Sequence, residues 1–102
     1  MYRIDKSPIH GRGVIANQTL PAGQFIDMGI QYCFKIWPYV TPHFGSYINH
    51  SSQPNTGLKY LNNNTRQGYG VVALRPIQKN EELTLNYDQC PWYIIGSMPW
   101  YR

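Results

Sequence analysis

The sequence predicts a single domain of mostly β structure. Aromatic residues are abundant, with nine Tyr, three Trp and three Phe, and aromatic side chains favour strands. Nine glycines and eight prolines are scattered along the chain, as expected where short strands alternate with turns. No segment keeps a helical period of apolar residues, and no internal repeat is visible. The 102 residues suffice for one modest core, and we assign residues 1–102 to one domain.

Short strands and turns are expected along the whole chain. Residues 2–4 form a candidate edge strand, and the proline and two glycines of residues 7–13 predict a turn with unusual backbone angles. Pro38 and Pro42 are expected to interrupt the sheet, because proline lacks the N–H group that a paired strand donates. Further strands are predicted at residues 13–16, 24–28, 30–39, 56–61, 69–74 and 83–87.

The connections between these strands carry many of the polar residues. Residues 44–48 predict one helical turn, residues 49–55 a polar loop and residues 62–68 a hairpin loop. The C-terminal tail, residues 91–102, is instead strongly apolar and aromatic. Because an uncovered tail of this composition would be a large apolar patch, we expect it to pack on its own domain, cover a ligand or meet a second chain.

The charge pattern limits the classes of partner. The net charge of +4 suits solubility and also tolerates an acidic partner such as nucleic acid. The nine lysines and arginines are dispersed, however, and no run of them forms a basic tail. Nucleic acid is therefore not expected as the direct ligand.

Cysteine content and hydropathy predict an intracellular, soluble protein. Cys33 and Cys90 alone cannot build a disulfide framework or a four-thiolate zinc site, so no metal site is predicted. The N-terminus lacks the long apolar stretch of a signal peptide or a membrane span. The cysteines are accordingly expected to be reduced, and the cellular compartment stays open.

Three separated segments could together form one small-molecule site. Residues 11–13 read Gly-Arg-Gly, a turn in which the backbone can approach a ligand closely. Residues 47–55 set short polar side chains beside aromatic and apolar ones, and residues 81–87 are a strand-like run that ends in Tyr87. Taken singly, each has an ordinary structural explanation: a hairpin turn, turn-capping asparagines beside a structural histidine, or a core tyrosine at a strand end.

In this order and spacing, the segments resemble the SET domain of protein lysine methyltransferases, which use S-adenosylmethionine. The resemblance covers a core of about residues 4–92. It is carried by ordered segments that read Ser-Pro-Ile-His-Gly-Arg-Gly-Val-Ile-Ala at 7–16, Pro-Ala-Gly at 21–23, Ile-Asn-His-Ser at 48–51 with Pro-Asn at 54–55, Ala-Leu-Arg-Pro-Ile at 73–77, and Glu-Glu-Leu-Thr-Leu-Asn-Tyr at 81–87.

The resemblance implies a SET-domain fold of several small, mostly antiparallel sheets. It also implies a knot-like crossing, in which the last core segment passes through a loop formed by earlier chain. Such a crossing would bring Asn49 and His50 beside Tyr87, although they are far apart in sequence. Threaded topologies are rare, so pattern analysis alone would not predict this one.

The resemblance also implies which residues bind the cofactor. Main-chain groups of Gly11, Arg12 and Gly13 would contact its methionine part. The Asn49 side chain would hold the amino-acid end of the cofactor. The backbone of His50 would form hydrogen bonds with the adenine edge, whose polar groups need partners when they are buried.

Trp92 lies in the region where family members place an aromatic residue near the cofactor or the lysine channel. Stacking on adenine would suit Trp92, and Tyr93 and Trp100 compete for that role.

Tyr87 is implied as the catalytic residue. Methyl transfer from a sulfonium to an amine is an in-line displacement that needs a neutral lysine and a short approach. A tyrosine hydroxyl can hold the amine and orient its lone pair, while a dry channel lowers the pKa of the lysine. In many family members, the residue two before this tyrosine is an aromatic that affects how many methyl groups are added. Here it is Leu85, so the channel's size would depend on residues such as Tyr32 and Tyr47.

The chain follows a minimal version of the family plan. The insert before the Asn-His-Ser motif spans only about residues 31–44, and no Cys-rich zinc segment follows the core. Small virus-like SET proteins share this plan, and some of them form homodimers. The substrate groove is therefore expected to be shallow, or to be completed by the tail or by a partner chain, with a homodimer through the tail as one arrangement.

Three functions are compatible with the sequence. The first is a lysine methyltransferase acting on a histone or another protein with a target lysine. The second is a SET-like module that binds cofactor or peptide without turnover, and the third is a small basic β-domain that binds nucleic acid. Retention of Asn49, His50 and Tyr87 favours the first.

Overall fold

The structure, a computed structural model, describes residues 1–33, 37–62 and 67–89. These residues form eight β-strands and two 3₁₀ turns, Gly45–Tyr47 and Tyr87–Gln89. The mostly β class is confirmed, as is the helical turn predicted within residues 44–48. None of the helices in these ranges has the length and apolar character needed to cross a membrane. The strands are β1 (Tyr2–Lys6), β2 (Arg12–Ala16), β3 (Phe25–Cys33), β4 (Trp37–Val40), β5 (Asn49–His50), β6 (Thr56–Asn62), β7 (Gln67–Ala73) and β8 (Glu82–Leu85).

The strands make two four-stranded sheets. The order is β1-β2-β8-β5 in the first sheet and β4-β3-β7-β6 in the second. In the described part of the chain, every strand pair is antiparallel except β5 with β8, which run parallel. Small antiparallel sheets are thus confirmed, whereas the knot-like crossing stays a prediction.

One hydrophobic core lies between the sheets and their connections. Strand β2 contributes Val14 and Ala16, and the loop residues Leu20 and Ile77 join the core through two main-chain hydrogen bonds of 2.8 Å. Burying a Val, Leu or Ile side chain contributes about 1.5–3 kcal/mol. The buried cluster consists of Val14, Ala16, Leu20, Ile26, Ile30, Phe44, Ile48, Val71, Ala73, Ile77, Leu83, Leu85 and Tyr87.

Three expectations about local structure are wrong. The strand predicted at residues 30–39 is divided, because residues up to Cys33 belong to β3 and Trp37–Val40 form β4, which pairs antiparallel with β3. Pro38 lies inside β4 instead of interrupting the sheet, because β4 is an edge strand and its outer side needs no N–H donor. Asn49 and His50 form β5 instead of belonging to a loop. Their partner strand β8 comes from much later in the chain, so no local pattern marks the pairing.

Asn55 joins the two sheets. Its side-chain oxygen accepts the Thr84 N–H at 2.8 Å, and its Nδ2 donates to the Glu82 carbonyl at 2.8 Å. The Thr56 hydroxyl donates to the Thr84 carbonyl at 2.6 Å. Because Thr56 begins β6 of the second sheet and Thr84 lies in β8 of the first, these bonds fix β8 against the second sheet.

Glu81 forms an ion pair just before β8. Arg75 Nη2 lies 2.5 Å from Glu81 Oε2, and Asn55 Nδ2 donates to the same oxygen at 3.1 Å. The hydrogen bond from Arg75 is the largest cause that lowers the pKa of Glu81, from 4.5 to about 2. Burial opposes the change, and the Gln78 N–H and Asn55 add to it.

We expect Arg75→Gln to destabilise the protein in a pH-dependent way. A carboxyl group with a depressed folded-state pKa stabilises the fold above its unfolded-state pKa, and this stabilisation is lost as the pH falls towards the folded-state value. The difference in unfolding midpoint between wild type and variant should therefore be largest above about pH 4.5 and should close near pH 2. Thermal unfolding followed by circular dichroism measures it, with the exposed Lys59→Gln as control. A difference that does not vary with pH would contradict the ion-pair explanation.

Candidate active site

The parallel pairing of β5 with β8 brings the predicted site residues together. His50 lies opposite Leu85, and Tyr87 follows β8 at the start of the second 3₁₀ turn. The Tyr87 N–H donates to His50 Nδ1 at 3.0 Å, and the two ring centroids are 5.1 Å apart. Because Nδ1 accepts this bond, the neutral His50 ring carries its proton on Nε2. The His50 side chain therefore anchors the turn that positions Tyr87.

The Tyr87 hydroxyl is buried and donates to a main-chain carbonyl. The residue is 2% exposed, and Oη lies 2.7 Å from the oxygen of Ile48. A hydroxyl has one hydrogen and two lone pairs, so this bond commits the hydrogen and makes the oxygen an acceptor. Tyr87 is thus suited to receive an N–H group of an amine and unsuited to donate to the amine's lone pair.

A rigid turn holds the carbonyl that receives this bond. Thr41 is fully buried, and its Oγ1 donates to a β3 carbonyl at 2.6 Å and accepts the Gly45 N–H at 2.8 Å. A Cβ atom at Gly45 would collide with the main chain of Gly29, so this close approach requires glycine. The turn that leads into Ile48 is therefore fixed against β3.

The Asn49 side chain is completely buried and faces the turn before β2. Its Nδ2 donates to Glu82 Oε2 at 2.9 Å and to the His10 carbonyl at 3.0 Å, and lies 3.1 Å from Ser7 Oγ. Its Oδ1 has no hydrogen-bond partner among the described residues. A buried unpaired acceptor costs about 1–3 kcal/mol. A ligand that brought an N–H or ammonium group to this oxygen would remove that cost.

The Gly-Arg-Gly segment lies against the same Nδ2 group of Asn49. Only Gly11 of this segment belongs to the turn, because Arg12 and Gly13 are the first two residues of β2. Gly11 has φ of 49°, in the left-handed region that favours glycine. Arg12 is exposed, and its carbonyl lies 3.4 Å from Asn49 Nδ2. A Cβ atom at Gly13 would collide with the Glu82 carboxylate. The structure therefore brings Asn49 against residues 11–13, where the chain enters β2.

The other predicted site residues are more widely spread. Leu85 is the last residue of β8 and is buried. Tyr47 lies in the first 3₁₀ turn and Tyr32 in β3 of the second sheet, and both are half-buried and pack against the core. Trp92 and the rest of residues 90–102 lie outside the described residues, so the adenine-stacking role of Trp92 stays a prediction.

Sequence analysis missed two side chains that organise the site, Ser7 and Glu82. Ser7 Oγ accepts the N–H groups of Ile9 and His10 at 2.9 and 3.2 Å, and it lies 2.8 Å from Glu82 Oε1. A signal for Glu82 exists in the sequence. It alternates with Leu83 and so points to the opposite face of β8 from the core.

A second polar cluster links β1 with β3. The Tyr2 hydroxyl donates to Asp27 Oδ2 at 2.6 Å, and His43 Nε2 lies 3.1 Å from the same oxygen. Burial and the Asp27 carboxylate raise the pKa of Tyr2. Burial alone would raise the pKa of Asp27, but hydrogen bonds from Tyr2 and the Met28 N–H, together with His43, hold it below its usual range. This cluster ties the first sheet to the second.

Known proteins share sequence and fold with this chain. A stretch of 44 residues is 43% identical to the histone-lysine N-methyltransferase, H3 lysine-36 specific, of Mycosarcoma maydis. The stretch covers 43% of this chain and 4% of that relative. A crystal structure of a Plasmodium falciparum protein assigned as a histone methyltransferase matches with a TM-score of 0.67 and 21% identity, over 85% of this chain and 96% of that one. A humanized mutant of the Chaetomium thermophilum Polycomb Repressive Complex 2, bound to the inhibitor GSK126, matches with a TM-score of 0.70 and 21% identity, over 89% of this chain and 15% of that one.

These similarities differ in what they establish. At 21% identity, the two solved structures establish the fold alone. The chain spans 4% of the length of the H3 lysine-36 enzyme that it matches. The sequence model of the SET domain, in contrast, matches residues 27–88, more than half of the chain, and this range includes Asn49, His50 and Tyr87. The chain belongs to the SET domain family.

Proposed function

We propose that residues 1–102 form one S-adenosylmethionine-dependent protein-lysine N-methyltransferase domain. The observation that carries this proposal is the pairing of β5 with β8. This pairing puts Asn49, whose buried Oδ1 has no hydrogen-bond partner among the described residues, next to the segment that carries the buried hydroxyl of Tyr87. Membership of the SET domain family and the name of the H3 lysine-36 relative support lysine as the methyl acceptor.

The residues around Asn49 fit the amino-acid end of S-adenosylmethionine. Asn49 Oδ1 is buried and lacks a partner in the described part of the chain, so it would accept a hydrogen bond from the ligand's ammonium group. Main-chain groups of Gly11, Arg12 and Gly13 would contact the methionine part, and the main chain of His50 the adenine edge. When bound, the cofactor supplies an electrophilic methyl group on a sulfonium sulfur.

Tyr87 would orient the lysine amine of the substrate. Its hydrogen is committed to the Ile48 carbonyl, so its oxygen would accept an N–H of the amine and turn the nitrogen lone pair towards the methyl group. Since the hydroxyl keeps its own hydrogen, we expect Tyr87 to orient the amine and not to act as its base. The lysine must then lose its proton before transfer, and the rate should rise with pH.

The substrate we propose is a lysine side chain of a protein. A histone is one candidate, because the matched relative is named as a histone-lysine methyltransferase. Leu85, Tyr32 and Tyr47 are proposed to line the lysine channel. An aliphatic residue at Leu85 leaves no hydroxyl there, which favours products beyond monomethyl-lysine.

Labelled-methyl transfer to a peptide array that includes histone tails, followed by mass spectrometry, tests this function. We expect labelled methyl-lysine only when S-adenosylmethionine is present. The absence of S-adenosylmethionine binding at millimolar concentration would refute the proposal. Binding without transfer to any protein or peptide would instead favour a module that binds without turnover.

The aromatic tail gives a separate prediction. A tail rich in aromatic and apolar residues is unfavourable when its side chains are exposed to water. We therefore expect it to cover the cofactor or to form a symmetric homodimer contact. Deleting residues 93–102 should therefore weaken cofactor binding or reduce the mass in sedimentation. Unchanged affinity, activity and mass would show that the tail has neither role.

A further inference from the structure

A clamp made by Ser7 and Glu82 grips one side of the Asn49 amide. Glu82 Oε2 lies 2.9 Å from Asn49 Nδ2, and Ser7 Oγ lies 3.1 Å from the same nitrogen. Ser7 Oγ also lies 2.8 Å from Glu82 Oε1 and 2.9 Å from Glu82 Oε2, so its hydroxyl donates to the carboxylate. The clamp thus consists of the Glu82 carboxylate and the Ser7 hydroxyl that holds it, and together they hold the NH₂ group of Asn49.

The clamp decides which way the Asn49 amide points. An ionised carboxylate only accepts hydrogen bonds, so it can face the NH₂ group of Asn49 but repels its oxygen. Rotating the amide by half a turn would set Oδ1 against Glu82 Oε2 and the His10 carbonyl, where Nδ2 now donates at 2.9 and 3.0 Å. The buried Oδ1 is therefore kept on the opposite side, where it has no hydrogen-bond partner among the described residues.

Gly13 has no side chain, and this makes room for the Glu82 carboxylate beside Asn49. A Cβ atom there would collide with the Glu82 carboxylate and would lie 3.0 Å from the Ser7 Cβ. Gly13 is therefore needed for the clamp to reach Asn49, in addition to any contact that its main chain makes with a ligand.

The charge of Glu82 is not neutralised within the described residues. Their ion pairs are Arg3 with Asp5, His43 with Asp27 and Arg75 with Glu81, while the hydrogen bonds of Glu82 come from neutral groups. Glu82 is also half-buried, where a charge is screened less than at the surface. Its charge therefore adds to the attraction of a cation beside Asn49 Oδ1.

We propose that Glu82 is a positioning and specificity-determining residue, which makes the site select ligands that carry an α-ammonium group. This inference depends on the proposed function, because it concerns the amino-acid end of S-adenosylmethionine. Glu82 does not contact the reacting atoms. It acts by fixing the acceptor oxygen of Asn49 and by supplying a negative charge behind it.

The test compares two ligands by calorimetry. One is S-adenosylhomocysteine, the demethylated product of the cofactor, and the other is its desamino analogue, which lacks only the α-ammonium group. Glu82→Gln can rotate its own NH₂ group towards Asn49 and so permit the amide to flip. We expect this variant to bind S-adenosylhomocysteine about 10- to 100-fold more weakly, while its affinity for the desamino analogue changes by less than about threefold.

Glu81→Gln is the matched control. It makes the same chemical change one residue earlier, at a carboxylate that contacts Arg75 and Asn55 and not Asn49. It should leave the preference between the two ligands unchanged. Ser7→Ala removes the hydroxyl that holds Glu82. We expect this variant to lose about 3- to 10-fold in affinity for S-adenosylhomocysteine, with little change in affinity for the desamino analogue. If Glu82→Gln does not fold, Ser7→Ala alone tests whether the clamp gives the preference for the ligand with the α-ammonium group.

The outcomes separate this inference from the proposed function. If wild type binds neither ligand, the proposed function fails. If wild type binds S-adenosylhomocysteine but the folded Glu82→Gln or Ser7→Ala variant loses both ligands equally, the clamp is merely structural and the inference is overturned. Unchanged affinity for both ligands in the variants overturns it as well.

Discussion

Replacing Tyr87 with phenylalanine is expected to reduce methyl transfer by about a hundredfold or more while the protein stays folded and binds cofactor. The change removes one hydroxyl and keeps the ring that packs beside His50. It removes an interaction proposed to orient the amine during transfer, so turnover should fall and ligand affinity should not. The Ile48 carbonyl loses its hydrogen-bond donor, which should lower stability by about 0.5–1.5 kcal/mol.

Tyr60→Phe is the matched control for this experiment. Tyr60 is half exposed on β6, and its hydroxyl accepts a hydrogen bond from Gln67 at 3.2 Å. Its removal should leave both turnover and cofactor affinity unchanged. Near wild-type turnover in Tyr87→Phe would show that the catalytic assignment is wrong, whereas loss of folding in that variant would show that the role of Tyr87 is structural.

The pH dependence of the wild-type rate follows from the same geometry. The Tyr87 hydroxyl donates to Ile48 and acts as an acceptor towards the amine, so the lysine must arrive neutral or lose its proton to solvent. The rate should therefore increase with pH until the substrate lysine is fully deprotonated. Methyl transfer measured at saturating cofactor checks this, and a rate that fell with rising pH would contradict an orienting role for Tyr87.

Local patterns predicted the pairing of β6 with β7 well, because the two strands are close in sequence and only a short polar segment lies between them. Their pairing runs from Thr56 with Ala73 to Asn62 with Gln67. The same reasoning failed for Asn49 and His50, which look like loop residues because they are polar and have no local strand partner. They become a strand only through the parallel pairing with β8. Family resemblance predicted that Asn49 and His50 lie near Tyr87, which periodicity could not, but it did not predict the parallel strand pairing.

The site residues likewise fall into those that sequence motifs predict and those that only the structure reveals. Asn49 and Tyr87 could be named from their motifs, because the residue types and their spacing match the family. The clamp of Ser7 and Glu82 could not be named, because its partners are 75 positions apart and meet only after β2 pairs with β8. Charged and polar residues next to a recognised motif can therefore act on the motif residue itself, and their roles become visible only in three dimensions.

Asn49→Ala is expected to weaken binding of S-adenosylmethionine by about 1–3 kcal/mol, which corresponds to roughly a 5- to 150-fold loss of affinity. The substitution removes the buried Oδ1 that we propose accepts the ligand's ammonium group, and it leaves Glu82 without the NH₂ donor at 2.9 Å. Calorimetry with wild type and variant measures the change.

Asn55→Ala separates lost binding from lost stability in this comparison. It removes an amide that bonds Thr84 and Glu82 across the two sheets, and Asn55 is not proposed to touch the cofactor. We therefore expect Asn55→Ala to lower the unfolding midpoint at least as much as Asn49→Ala does. Below its unfolding transition, however, its affinity for S-adenosylmethionine should stay within about threefold of wild type. Equal losses of affinity in both variants would mean that Asn49 supports the site only through stability, and that its oxygen does not bind the cofactor.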